Sequence, residues 1–137
     1  MLRISRLTDY ATVILASLAG GGLASAADIA ERTRIGVPTV SKLLKELQRA
    51  GLVRSLRGPR GGYQLARTAA EISAADIIDA VEGPVALTEC SSDHSHCGIE
   101  ANCRVGHSWQ QVSRSIHRAL AEVPLSALVR RDATVRV

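Results

Sequence analysis

Three cysteines, Cys90, Cys97 and Cys103, stand in the pattern C-x6-C-x5-C, and His107 follows after three more residues. Wide, irregular spacing on a loop lets sulfurs converge on one centre without strain. Thiolates select zinc, copper(I) or iron–sulfur clusters. Zinc sites usually include one close C-x2–4-C pair, and none stands here. A four-residue step on a helix puts Cys103 and His107 on one face, which makes His107 a candidate donor; His94 and His96 compete with it and read as solvated loop residues. Between Glu71 and Glu100 lie seven acids (Glu71, Asp76, Asp79, Glu82, Glu89, Asp93, Glu100) and no lysine or arginine. Such surroundings disfavour the reactive thiolate that a bare redox switch needs, and they suit a site that receives cations. The cysteine pattern points to a metal or cluster centre and leaves its type open.

The section before it has the opposite charge. From Arg32 to Arg67 there are nine basic residues (Arg32, Arg34, Lys42, Lys45, Arg49, Arg54, Arg57, Arg60, Arg67) and one acid, Glu46. One section attracts a polyanion and the next repels it. Ser25-Ala-Ala-Asp28 is a capping-box-like start for a short helix over 26–33, and residues 34–37, with Gly36, form a tight turn. Pro38 fits the first position of a second helix, where its missing N–H costs nothing. That helix runs to about Ala50, and Gly51 supplies the left-handed stop. Residues 52–55 and 63–66 read as short strands flanking Leu56-Arg-Gly-Pro-Arg-Gly-Gly62. Helix, turn, helix and a basic glycine-rich hairpin make a winged helix-turn-helix, so the expected fold class is mainly α with a small β-hairpin wing.

Within the second helix, Val40, Leu43, Leu44 and Leu47 follow the i, i+3, i+4, i+7 spacing of a buried face. Lys42, Lys45 and Arg49 then centre on the opposite face, ringed by Pro38, Thr39 and Ser41. A helix fits the major groove of B-DNA, and its N-terminal residues reach base edges. Thr39, Ser41 and Lys42 are therefore placed near bases, with Lys45 and Arg49 on phosphates. In the hairpin, Arg57 and Arg60 flank Gly58 and Pro59, a tip suited to a narrow, electronegative minor groove. Gly61 and Gly62 let the backbone come close to a phosphate or the groove floor. Tyr63 reads as hairpin packing.

Ser73-Ala-Ala-Asp76 opens another capped helix, with Ile72, Ile77, Ile78 and Val81 on its apolar side and Gly83-Pro84 at its end. Residues 85–102 lack clear periodicity. The helical period returns with Val105, Trp109, Val112, Ile116, Leu120 and Val123, and stops at Pro124. That stripe is long for a helix beside so small a core, and reads as shared between the core and a partner chain in coiled-coil fashion. The expected organisation is a DNA-binding region over 1–84, a cysteine loop over 85–103, a dimerisation helix over 104–123 and a flexible tail over 124–137.

At 137 residues, 46% hydrophobic and 22% charged, the chain fits one compact domain with a buried core. No apolar run reaches the ~18 residues that span a bilayer. Aromatics are confined to Tyr10, Tyr63 and Trp109, which argues against an aromatic stacking platform for single strands. Arg3, Arg6, the apolar 10–19 stretch and Ala24-Ser25-Ala26 imitate a secretory signal. Asp9 at the mouth of that stretch and the helical spacing of Leu7, Ala11, Ile14, Leu15 and Leu18 instead make it the first helix of the mature fold. Three cysteines cannot pair completely within one chain, which fits a reducing cytoplasm. No nucleophile–base arrangement or phosphate loop suggests an enzyme.

Taken together, these residues resemble the Rrf-two family of bacterial winged-helix regulators, in its IscR-like iron–sulfur branch. The resemblance rests on Leu7-Thr8-Asp9-Tyr10-Ala11, Ala50-Gly51-Leu52-Val53, the wing Arg57-Gly-Pro-Arg-Gly-Gly-Tyr63, Ile72-Ser73 through Val81-Glu82-Gly83-Pro84, and the cysteine loop. It covers about residues 1–123. Ala86-Leu87-Thr88-Glu89-Cys90 is similar to the proteobacterial regulators of the SUF iron–sulfur assembly operon. The resemblance implies a homodimer that binds double-stranded operator DNA, with a [2Fe-2S] cluster on Cys90, Cys97, Cys103 and one further residue. In isc-type regulators that residue is a His, which falls on His107 here. This loop has one extra residue before Cys97 and one before His107, which keeps the fourth ligand open. Isc-type regulators also carry a Glu where Ser41 stands, so operator choice here is expected to depend less on cluster state.

The expectation is thus a cytoplasmic, homodimeric regulator, acting as a repressor, that senses iron–sulfur status and controls cluster-assembly genes without a small-molecule substrate or a membrane. Two alternatives stay open: a nitric-oxide sensor with a [4Fe-4S] cluster, and a zinc-stapled structural DNA-binding protein. A small electron carrier would leave the basic helix and wing without a purpose.

Overall fold

The computed structural model describes residues 3–84 and 104–129. Helix α1 (Arg6–Leu18) starts at Ser5, whose hydroxyl accepts the Thr8 N–H at 3.2 Å. It buries Thr8, Ala11, Ile14, Leu15 and Leu18. Leu7, expected on that stripe, is 36% exposed: it sits in the first turn, while Thr8 is turned inward and held by the Ser5 hydroxyl. Helix α2 (Ala26–Thr33) has the expected limits and a reciprocal capping box between Ser25 and Asp28.

The turn that follows is made by Arg34, not by Gly36. Arg34 lies in the left-handed region at φ 60, whereas Gly36 has a negative φ and is the N-cap of α3 (Val37–Arg49). Pro38 is accordingly the second helical residue, where its absent N–H still falls among the donors a helix start leaves unpaired. Val40, Leu43, Leu44 and Leu47 of α3 are all fully buried, and Gly51 takes the left-handed stop at φ 76.

Strands β1 (Val53–Leu56) and β2 (Gly62–Leu65) pair antiparallel, from Val53 opposite Leu65 to Leu56 opposite Gly62. The first strand begins one residue later than its composition suggests, because the Leu52 N–H is taken by the Leu47 carbonyl at the end of α3. Ala24 adds an isolated bridge to Tyr63, with backbone hydrogen bonds of 3.0 and 2.7 Å. Helix α4 (Ala74–Val81) carries a second capping box, Ser73 with Asp76, and buries Ala75, Ile77 and Ile78.

Helix α5 (Gly106–Ala121) stands apart from the main core, which draws on α1, α2, α3, α4 and the residues around them. It packs on α4, with Ser113 buried and His117 Nε2 3.0 Å from Asp79 Oδ2. The expectation of a flexible tail from 124 is corrected at its start. Leu125 is fully buried, and a helical turn, α6 (Leu125–Leu128), docks there. The Leu125 N–H donates to the Ile72 carbonyl at 2.6 Å and the Ser126 N–H to the Ala69 carbonyl at 3.0 Å. Polar backbone entering the core finds partners there, which is why this segment can be buried. Among the described residues no helix is long and apolar enough to cross a membrane.

Candidate nucleic-acid interface

Burying the apolar side of α3 forces its other side outward. Lys42, Lys45, Arg49 and Pro38 are exposed, and Thr39 and Ser41 are half-buried beside them. The single acid of this helix, Glu46, is half-buried, and its Oε2 is shut off from solvent with no hydrogen-bond partner among the described residues. Among the described residues Arg67 pairs with Asp76 at 2.7 Å, and His117 Nε2 lies 3.0 Å from Asp79 Oδ2. None of Lys42, Lys45, Arg49, Arg57 or Arg60 takes part in these contacts. An exposed cationic surface without internal counter-charges attracts a polyanion.

The wing stands on the same side chain network as α3, since Gln48 Nε2 donates to Ser55 Oγ of β1 at 3.2 Å. Its tip is a turn in which the Gly61 N–H donates to the Gly58 carbonyl at 2.9 Å, with Pro59 and Arg60 between them. Gly58, at φ 111, opens that turn, and Arg57, Gly58, Pro59 and Arg60 are all exposed. Gly61 and Gly62 also answer a demand of the fold itself. A Cβ on Gly61 would strike the Leu56 carbonyl, and one on Gly62 would come within 2.9 Å of the Ala24 backbone. The space their missing side chains leave is filled by backbone: that of the hairpin itself at Gly61, and that of the segment ahead of α2 at Gly62.

Two apolar residues on this surface escaped sequence reasoning. Val37, the first residue of α3, and Leu56, at the tip end of β1, are 47% and 46% exposed. A valine beside the expected helix start carries no distinguishing signal in the sequence.

Cys90, Cys97 and Cys103, with His94 and His96, lie outside the described residues. Of the expected donors only His107 is described, exposed in the first turn of α5. No group of three or more His, Cys, Asp or Glu side chains able to hold a metal occurs among the described residues. Along α5, Trp109 and Val112 are exposed, as is Val105 just ahead of it, while Ile116 and Leu120 are half-buried. An apolar ridge therefore faces solvent in the single chain.

Three carboxylates around this unit are held below their ordinary range. For Asp28 the cause is hydrogen bonding from the Ser25 backbone and hydroxyl. Burial opposes ionisation of Asp76, but hydrogen bonds from the Ser73 backbone and from Arg67 outweigh it. Glu82 is lowered chiefly by its hydrogen bonds at Ser5.

The family model that describes the Rrf2 regulators, "Iron-dependent Transcriptional regulator", matches residues 4–131. The chain is 38% identical to an HTH-type transcriptional regulator, ORF2, of Azotobacter vinelandii over 134 residues, 96% of this chain and 81% of that one. It is 33% identical to the HTH-type transcriptional regulator IscR of Cereibacter sphaeroides over 138 residues, covering 96% and 89%. Among solved structures, the B. subtilis global cysteine regulator CymR superposes with a TM-score of 0.70 at 29% identity, covering 94% of this chain and 97% of that chain. The T. potens IscR superposes with a TM-score of 0.68 at 29% identity, covering 99% and 92%.

Proposed function

The chain belongs to the Rrf2 family of transcriptional regulators, and from that premise we propose that it is a cytoplasmic, homodimeric repressor that senses iron–sulfur status through a [2Fe-2S] cluster and controls SUF-type cluster-assembly genes. The family and its relatives are DNA-binding regulators, not enzymes. The observation that carries the reading is the uncompensated basic face of α3 beside the Arg57–Arg60 wing. Thr39, Ser41 and Lys42 read base edges in the major groove, Lys45 and Arg49 hold phosphates, and the wing tip from Arg57 to Gly62 follows the backbone into the adjacent minor groove.

Cys90, Cys97, Cys103 and His107 are the residues that would hold the cluster. Three thiolates and an imidazole are a donor set suited to iron–sulfur chemistry, and His107, exposed in the first turn of α5, would supply the nitrogen. Bound there, the cluster supplies a redox- and iron-responsive tie. The protein's own part is to link the segment after α4 to the start of α5, whose apolar ridge (Val105, Trp109, Val112, Ile116, Leu120) pairs with a second copy. Two copies then present two α3 helices to half-sites about one turn, ~34 Å, apart or a multiple of it.

A second reading, control of cysteine supply, is favoured by the superposition on the B. subtilis cysteine regulator. Anaerobic purification separates the two. Equimolar iron and acid-labile sulfide that disappear in Cys97→Ala, together with an altered operator affinity, support the cluster reading. Colourless protein with unchanged affinity in Cys97→Ala overturns it, and iron and sulfide at a [4Fe-4S] level replace the cluster type.

A further inference from the structure

Arg34 is the only residue other than glycine with a positive φ among the described residues. It sits at the C-cap of α2, between the two helices of the reading motif, where helices most often place glycine because a side chain in the left-handed region is strained. Glycine would satisfy the fold, yet the position holds a long cation. Its side chain is exposed and makes no hydrogen bond or ion pair among the described residues. Backbone strain kept at an exposed position without an internal partner points to an external one. Arg34 lies two residues ahead of the Gly36 N-cap of α3, in the exposed turn that leads into that helix. A bidentate fork there matches a phosphate oxygen pair.

We propose that Arg34 is a phosphate clamp, gripping the DNA backbone beside the groove that α3 occupies. This rests on the DNA-binding reading above and adds a residue to it. The competing role, a cation complementing the α2 dipole, predicts a change in stability alone. The test uses the full chain, a mixed-sequence duplex of ~30 base pairs, long enough for two half-sites, and a salt titration. Arg34→Gly and Arg34→Asn, both of which tolerate the left-handed region, are expected to melt no lower than wild type. Their affinity should fall several-fold, and the slope of log K against log salt should be shallower by about 1 per clamp. Arg34→Lys keeps the wild-type slope. Wild-type affinity and slope in Arg34→Gly overturn the clamp alone, whereas a wild-type chain that binds no duplex overturns the DNA-binding reading with it. A lower melting point with an unchanged slope assigns Arg34 to the helix dipole and also overturns the clamp.

Discussion

The Ser5 backbone N–H donates to Glu82 Oε1 at 2.8 Å, joining the N-cap of α1 to the C-cap of α4 across 77 positions of sequence. This hydrogen bond ties the first helix of the fold to the end of α4.

Because the Glu82 carboxyl is held below its ordinary range, its ionised form contributes stability at neutral pH. That contribution is present above the unfolded value of about 4.3 and is lost as pH falls through the lower folded value. Asp76 behaves in the same way. Glu82→Gln is expected to cost up to about 1 kcal/mol at pH 7, discounted for the exposure of the pair. The difference from wild type should shrink as pH falls in an acid titration followed by circular dichroism; a difference that stays constant with falling pH contradicts the assignment.

Leu125 is a core residue although it follows the final long helix. Leu125→Ala should cost about 2–5 kcal/mol in denaturant unfolding, the range for a fully buried leucine. Ser126→Ala, with an exposed side chain, should be near neutral.

Legibility in the sequence followed the strength of the local signal. The buried face of α3, both Ser–Asp capping boxes and the left-handed Gly51 were readable because spacing or side-chain chemistry determines them within a few residues. Leu125 was not, because its burial depends on long-range hydrogen bonds to Ile72 and Ala69 that no local pattern announces. Gly61 and Gly62 look like open backbone in sequence; only the folding of the hairpin back on Leu56 and the return of Ala24 to Tyr63 reveal that the space is occupied. Arg34 in the left-handed region is likewise invisible when a glycine stands two residues later.

Substituting Gly62 tests that packing. Gly62→Ala places a methyl group against the Ala24 backbone at a positive φ, and overpacking of this kind typically costs about 1–3 kcal/mol. The melting temperature should fall, and duplex affinity should fall with it, while Pro59→Ala at the exposed tip leaves stability near wild type.

Removing one exposed cation from the reading surface should act through phosphates. Lys45→Ala and Arg49→Ala are each expected to weaken duplex binding almost uniformly across sequences and to reduce the salt slope by about 1. Thr39→Ala and Ser41→Ala should instead change which sequences are selected from a random pool. An altered pool preference in Lys45→Ala with an unchanged slope would exchange these roles.

Trp109 and Val112 are exposed in the single chain, so Trp109→Glu should leave the melting of the core almost unchanged. It should shift sedimentation from dimer to monomer and reduce affinity for a two-half-site duplex far more than for a single half-site. A monomeric wild-type chain refutes the pairing of α5.

The bridge between Ala24 and Tyr63 makes the wing a three-segment platform braced from outside the hairpin. With Gln48 bonded to Ser55 on its other flank, the angle between the wing and the recognition helix is set before any duplex arrives. Whatever mismatch remains must then be absorbed by the nucleic acid. Sequences with easily deformed pyrimidine–purine steps between the two points of grip would bind better than stiff ones, even at base pairs no side chain touches.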